Sequence, residues 1–313
     1  MAKPGESSRP DSKATPQRGD DVRAPVDQPA RPQAMTPSPR FAYDVDGGAL
    51  QWSRLDTFHQ VAAPARTDDR LVALLSPASV MAEEYRSIRT SILARWEQKR
   101  RLVHTITSAT PQEGKTITSL NLGFSFAELR NRRTVVVEAD PRLPQFSNLL
   151  GLEPSPGLVS LLEGTDAPQN VICGVDQTQL HVIPAGKAVN DRAVQLLSGA
   201  GMAALIDHLR TRYDHIIIDT PPVAELADTG ILGAMSDDVF LIARMGRTPQ
   251  QIIELANRTL TSYNAAVSEI IATDQKYDRR KYYYRYGYRY GYRYGYGYGY
   301  QSGHGSESNQ NAA

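Results

Sequence analysis

Six short runs, "RLVHTIT", "RTVVVEAD", "QLHVIPA", "YDHIIIDT", "DVFLIAR" and "VSEIIAT", are rich in β-branched residues and alternate with longer stretches of helical spacing. A strand that is apolar on both faces must be covered on both, and parallel strands achieve this through helical crossovers. Stretches such as "KTITSLNLGFSFAELRNR" and "TPQQIIELANRTLTSYN" can supply those helices. The expected fold class is α/β, a mostly parallel central sheet with helices on both faces, over residues 71–275.

The flanks read differently. Residues 1–70 hold nine of the chain's 20 prolines among Ser, Arg, Asp and Gln and are expected to be a disordered segment. Within them Trp52, Leu55 and Phe58 recur at helical spacing and could form a short docking element. Residues 276–313 carry "RKYYYRYGYRYGYRYGYGYGYQ", with tyrosine at almost every second position. Such alternation suggests a strand, yet the other face is glycine and arginine, so it offers no second apolar surface. Taken alone, this low-complexity tail suits nucleic-acid binding or self-association through stacked rings.

Composition narrows the classes. With 313 residues and 41% hydrophobic content the chain can bury a substantial core. Lys and Arg number 35 against 34 Asp and Glu, so the net charge of +1 makes no global case for nucleic acid or membrane. The single cysteine, Cys173, cannot form an internal disulfide, which fits a reducing compartment. No run of about 18 apolar residues occurs, and "MAKPGESSRPDSK" lacks the apolar centre of a signal peptide, so neither a span nor secretion is expected. The six histidines are scattered and make no zinc-like set with Cys173.

The first strand ends in "TSATPQEGKTITSLNLG". Strand, turn, Gly-Lys-Thr and helix is the layout of a phosphate-binding loop, in which backbone N–H groups and the helix N-terminus face the phosphates. The candidate nucleotide-binding residues are Thr110, Pro111, Gln112, Glu113, Gly114, Lys115, Thr116 and Ile117, with Lys115 reaching the outer phosphates and Thr116 ligating magnesium. The spelling departs from the full pattern at Ala109 and at Gln112, where glycine is usual. "TVVVEADPRLP" carries Glu138 and Asp140 at a strand end, and "HIIIDTPPVAELAD" ends its strand in Asp219, with Asp228 further along. Carboxyl ends of parallel strands line the ligand crevice, so these acids should gather beside the loop as a magnesium nucleotide site.

These residues resemble the bacterial tyrosine kinases of capsule and exopolysaccharide assembly, within the MinD- and ParA-like P-loop ATPases. The likeness rests on "SATPQEGKT", "VVVEADPRLP", "IIIDTPPV", "VIPAGKAVNDRAVQLL" and the tyrosine cluster, and covers residues of about 70–300. A further feature is the Glu-x-x-Arg-x-x-Arg helix, matched by Glu83, Arg86 and Arg89, which the resemblance assigns to contacts within a homo-oligomeric ring. It implies a protein-tyrosine kinase with ATP and Mg2+ as cofactors. Lys115, Glu138, Asp140 and Asp219 would be catalytic, Thr116, Glu138, Asp140 and Asp219 would hold the metal, and Arg142 would join the nucleotide set. Family members usually have aspartate where Glu138 stands, in the role of proton acceptor or metal ligand, so Glu138→Asp is expected to keep or improve activity. Pro141 and Leu143 depart from the pattern, and Thr273 or Asp274 stands where an asparagine suits the base.

The resemblance also explains the tail. Tyr282, Tyr283, Tyr284, Tyr286, Tyr288, Tyr290, Tyr292, Tyr294, Tyr296, Tyr298 and Tyr300 would be autophosphorylation sites, modified by a neighbouring subunit. The implied partners are a membrane-embedded polysaccharide copolymerase that activates the kinase and a protein-tyrosine phosphatase, with no nucleic acid. The implied location is cytoplasmic, peripheral at the inner face of the plasma membrane. A partition-type ATPase switch and a nucleotide-binding pseudokinase scaffold are the alternatives.

Overall fold

The structure is a computed structural model that describes residues 59–61, 67–152, 156–175, 178–224 and 228–274. All eleven tail tyrosines, the candidate docking element around Trp52, and the expected disordered segment apart from 59–61 and 67–70 lie outside the described residues. The strands are β1 (His59–Val61), β2 (Leu102–Ser108), β3 (Thr134–Glu138), β4 (Cys173–Val175), β5 (Leu180–Ile183), β6 (His215–Asp219), β7 (Asp238–Arg244) and β8 (Glu269–Thr273). They form one sheet in the order β1-β4-β5-β3-β6-β2-β7-β8. From β5 to β8 every pairing is parallel, while β4 runs antiparallel to β5. The six expected strands are therefore β2, β3 and β5 to β8. The two three-residue strands β1 and β4 are too short to show a period.

The helices are α1 (Val72–Leu75), α2 (Val80–Arg95), α3 (Lys115–Ala127), α4 (Phe146–Leu150), α5 (Leu158–Leu162), α6 (Pro168–Val171), α7 (Ala193–Ser198), α8 (Ala200–Arg212), α9 (Asp228–Ala234) and α10 (Gln250–Ser262). They cover both sheet faces, because every residue of β2, β3 and β6 is buried. On one face Leu71, Ile92, Leu120, Leu122, Phe124 and Phe126 pack on Ile106, Val136, Ile217 and Phe240. On the other, Leu158, Leu197, Leu205 and Leu209 pack on Val103, Val135, Val137 and Ile218.

Helix α3 carries the nucleotide loop and is the most deeply embedded, with eleven of its 13 residues buried. Gly123 lets it approach the sheet, since a Cβ there would come within 2.4 Å of Val136 Cγ2. Asn121 ties α3 to α1 and the segment before it by accepting from the Ala73 amide and donating to the Arg70 carbonyl, at 2.8 and 3.0 Å. The core also holds an unexpected polar pair. His104 Nε2 and His215 Nδ1 are 3.2 Å apart, both residues fully buried, with the His215 ring stacked on Phe126. Among the described residues, no helix is long and apolar enough to cross a membrane.

Candidate active site

The loop between β2 and α3 is held by its own side chains and by a neighbouring strand. Glu113 turns inward and is buried, accepting from the Thr110 amide and hydroxyl at 3.0 Å each and from the Thr248 hydroxyl. Thr273, at the end of β8, donates to the Glu113 carbonyl at 2.7 Å. Gly114 caps α3 with φ +95°, and Gln112 is left-handed at φ +62°. That backbone explains why glycine suits the position of Gln112, and a left-handed non-glycine residue costs about 1 kcal/mol.

Lys115, the first residue of α3, places Nζ 3.3 Å from Asp140 Oδ2 and 3.4 Å from Thr116 Oγ1. Burial pulls its pKa down, but Asp219, Asp140 and Glu138 outweigh this and hold the ammonium above its ordinary value. Asp219 is buried at the end of β6 and accepts from Ser119 Oγ at 3.0 Å through Oδ1. Its Oδ2 is buried and accepts no hydrogen bond. Burial drives the Asp219 pKa upward against Lys115 and the Thr116 and Ser119 hydroxyls. An orphaned carboxylate oxygen beside a hydroxyl and an ammonium suits a hydrated divalent cation, which would take its other ligands from phosphate and water.

Pro111, Gln112, Gly114, Lys115, Thr116, Ile117, Asp140 and Arg142 line one crevice of about 620 Å³ at the carboxyl ends of the strands. Thr110 and Glu113 line an adjoining recess with Gln112, Arg244 and Thr248. Arg142 reaches Asp228, donating to Oδ2 at 2.6 Å, and Asp228 is fully buried. The sequence reading missed Arg70 and Arg244, which also line the crevice. Arg244 ends β7, so the strand-end rule that found the acids could have found it. Arg70 carried no signal because it lay in the segment read as disordered.

Glu138 departs from the expected role. Its Oε1 accepts from the Gln145 amide and, at 2.8 Å, from the Phe146 amide, while Oε2 accepts from the Ala185 amide at 2.8 Å. The carboxyl is buried and joins the end of β3 to the start of α4 and to the chain after β5, instead of lining the crevice. Burial raises its pKa to about 7, against the lowering effect of the three amides. Asp140 is thus the second-strand acid that lines the crevice. Thr273 and Asp274 are likewise engaged, Asp274 with Arg244 at 2.9 Å.

Three comparisons bear on this arrangement. The "AAA domain" family model matches residues 111–269. Tyrosine-protein kinase YwqD of Bacillus subtilis is 29% identical over 219 residues, 70% of this chain and 92% of that protein. Tyrosine-protein kinase CpsD of Streptococcus agalactiae serotype Ia is 30% identical over 208 residues, 64% of this chain and 88% of its own length. This chain belongs to the bacterial tyrosine kinases. A solved kinase domain, that of the Escherichia coli tyrosine kinase ETK, is 25% identical with a TM-score of 0.63, covering 74% of this chain and 85% of that one.

In this bacterial tyrosine kinase the Glu-x-x-Arg-x-x-Arg helix is α2, entered through Ser79, whose Oγ accepts from the Ala82 amide at 3.2 Å. Its arginines turn inward. Arg86 pairs with both oxygens of Glu128 at 2.6 to 3.1 Å, and Arg89 donates to Glu128 Oε2 at 2.9 Å and to the Ser125 carbonyl. Glu83 meets Arg86 at 3.0 Å and keeps 64% of its side chain exposed. Two members of the motif therefore pin α2 to the end of α3, and the third faces outward.

Proposed function

We propose that this chain is an ATP-dependent protein-tyrosine autokinase that modifies the tyrosines between Tyr282 and Tyr300 of a neighbouring copy and so regulates polysaccharide polymerisation and export. The observation that carries this reading is the meeting of Lys115 and Asp140 in a crevice behind a phosphate loop, with the unpartnered Oδ2 of Asp219 buried at the end of β6, in a chain that also holds eleven clustered phenols. Lys115 would sit against the transferring phosphoryl group, where a fixed cation stabilises developing charge. Bound magnesium, held from Thr116 and Asp219, would neutralise the phosphate oxygens. The tyrosine oxygen bonds to the γ-phosphorus as the bond to the β-phosphate bridge breaks. ADP leaves, and the phenolic proton passes to Asp140 in place of Glu138.

Attached to this reading are an unphosphorylated ring built through the α2 face, a membrane-embedded activator that brings the kinase to the inner face of the plasma membrane, and a phosphatase that resets the tail. A second reading, an ATPase switch without tyrosine transfer, is favoured by Glu138, whose oxygens are taken up by three backbone amides. Purified chain incubated with magnesium ATP and mapped for phosphotyrosine separates the two. Modified tail peptides are expected, and ATP hydrolysis with an unmodified tail selects the switch. Mixing a Lys115→Met chain with an active chain truncated after residue 275 tests transfer between copies, because label on the Lys115→Met tail can only arise in trans.

A further inference from the structure

The sheet has a second charged end. At its amino edge, opposite the nucleotide crevice, a cleft of about 620 Å³ spans the starts of β5, β3, β6 and β2, which are consecutive neighbours. Arg101 immediately precedes β2, Arg132 and Arg133 immediately precede β3, and Arg130 stands on the same connection from α3. Arg212 and Tyr213 add the rim before β6. The lining contains one acid, Asp214, and one of its oxygens accepts from the Arg133 amide at 2.9 Å.

Many cations elsewhere are paired. Arg70, Arg86, Arg89, Arg95, Lys99, Lys115, Arg142 and Arg210 each contact a carboxylate. Among the described residues, the guanidinium groups of Arg101, Arg130, Arg132 and Arg133 have no such partner, although they share one cleft. Their field reaches inward. Arg133 disfavours protonation of His181 and favours the anionic form of buried Tyr213, and Arg132 disfavours protonation of His215. Like charges gathered against a single acid raise the energy of the empty cleft and lower it when a multivalent anion enters.

We propose that this arginine cleft binds the phosphorylated form of the chain's own segment 282–300. Guanidinium groups recognise phosphate through paired, charge-assisted hydrogen bonds. From Lys276 to Tyr300 the segment has seven Lys and Arg residues against Asp278, so unmodified it is about +6 and repelled. Each phosphate adds roughly −1.5 to −2, so three or four cancel that charge and further ones reverse it. A phosphate on every second residue of an extended chain recurs at about 6.6 Å, which presents a row of anions to a row of arginines. The eighteen residues from Asp274 to Tyr292 can span about 60 Å when extended. That is well beyond the roughly 23 Å length of β2, so the tail can reach the opposite end of its own or a neighbouring sheet. The product of the reaction would thus be held away from the nucleotide crevice.

The proposal rests on the autokinase reading for its occupant, but its test does not need the enzyme to turn over. The receptor is the whole chain carrying Lys115→Met and treated with a tyrosine phosphatase. The probe is a fluorescent synthetic peptide of residues 280–301, either unmodified or bearing six phosphotyrosines. We expect the phosphopeptide to bind at least tenfold more tightly than the unmodified peptide and to be released by moderate salt. Arg101→Gln/Arg130→Gln/Arg133→Gln, at exposed positions, should weaken phosphopeptide binding at least tenfold while the circular dichroism spectrum stays unchanged, and the same three changes in a chain that keeps Lys115 should leave nucleotide binding unchanged. Equal binding by this variant would overturn the proposal, as would equal binding of the two peptides. Displacement of the phosphopeptide by phosphatidylserine vesicles or single-stranded DNA at lower phosphate concentration would assign the cleft to that ligand instead. A receptor that binds the phosphopeptide through these arginines, in a protein whose wild-type tail never acquires phosphate from ATP, would leave the cleft standing and remove the autokinase reading.

Discussion

At the residue scale, the crevice separates carboxylates that look alike in sequence. Asp219 and Asp140 face Lys115, whereas Glu138 turns to three backbone amides. On the proposed mechanism, Lys115→Met would remove the cation aimed at the transferring group, and Asp219→Asn would weaken the hold on the metal. Each should lower tail phosphorylation by about a hundredfold or more, measured by phosphotyrosine mass spectrometry, with the melting temperature retained. The amide contacts change the expectation for Glu138→Asp. A side chain shorter by one methylene cannot keep amides on both α4 and the chain after β5, and a buried unsatisfied amide costs about 1 to 3 kcal/mol. We therefore predict a fall in melting temperature for Glu138→Asp, and also for Glu138→Gln, whose NH2 cannot accept from the amide that one carboxylate oxygen now satisfies. An unchanged melting temperature for Glu138→Asp would return the residue to the metal site.

At the element scale, Glu128 couples the two helices that matter most. It follows α3, whose first residue is Lys115, and it receives Arg86 and Arg89 of α2. Partly exposed pairs of this kind are worth about 1 kcal/mol, more where the geometry is bidentate. Replacing Glu83, Arg86 and Arg89 together would consequently loosen the fold as well as any subunit contact. Glu83→Arg alone is the cleaner probe. If the proposed ring forms through α2, Glu83→Arg should shrink its oligomers in light scattering while leaving the melting temperature nearly unchanged, and Glu128→Gln should do the reverse. Oligomers unaffected by Glu83→Arg would move the assembly contact elsewhere.

At the scale of the whole molecule, charge and protonation set the limits. Burial lowers the His215 pKa to about 3, helped by His104 and Arg132, and lowers that of His181 to about 4, helped by Arg133. Both lie below the ordinary histidine value of 6.5, so the unfolded chain takes up protons that the folded chain refuses. Their contribution to stability is complete above pH 6.5 and is lost as pH falls toward 4 and then 3. His181 hydrogen-bonds the Tyr213 hydroxyl at 2.7 Å, a contact that glutamine can preserve. Between pH 7.5 and 5, urea titrations should show His181→Gln losing about 1 to 2 kcal/mol less than the wild type. Equal losses would mean that His181 titrates normally. On the autokinase reading, the tail sets a second limit: any assembly should shrink after about three or four phosphates per chain, when the segment's charge of about +6 is cancelled.

The sequence by itself determined the parallel sheet, because β-branched runs such as "HIIID" and "TVVVE" have no stable place except between two covering layers. It also determined the phosphate loop and the strand-end positions of Asp140 and Asp219, since a strand's carboxyl end is fixed by its own local pattern. What only the tertiary structure decided is where each side chain's charge is spent. Glu138 and Asp140 are two residues apart, yet one meets amides brought from α4 and Ala185 and the other meets Lys115. Arg86 and Arg89 find Glu128 some forty residues away. The buried His104–His215 pair and the arginine cleft are built from residues about a hundred positions apart. Secondary structure follows from a local period, whereas hydrogen bonds and ion pairs depend on which distant atoms packing brings within about 3 Å.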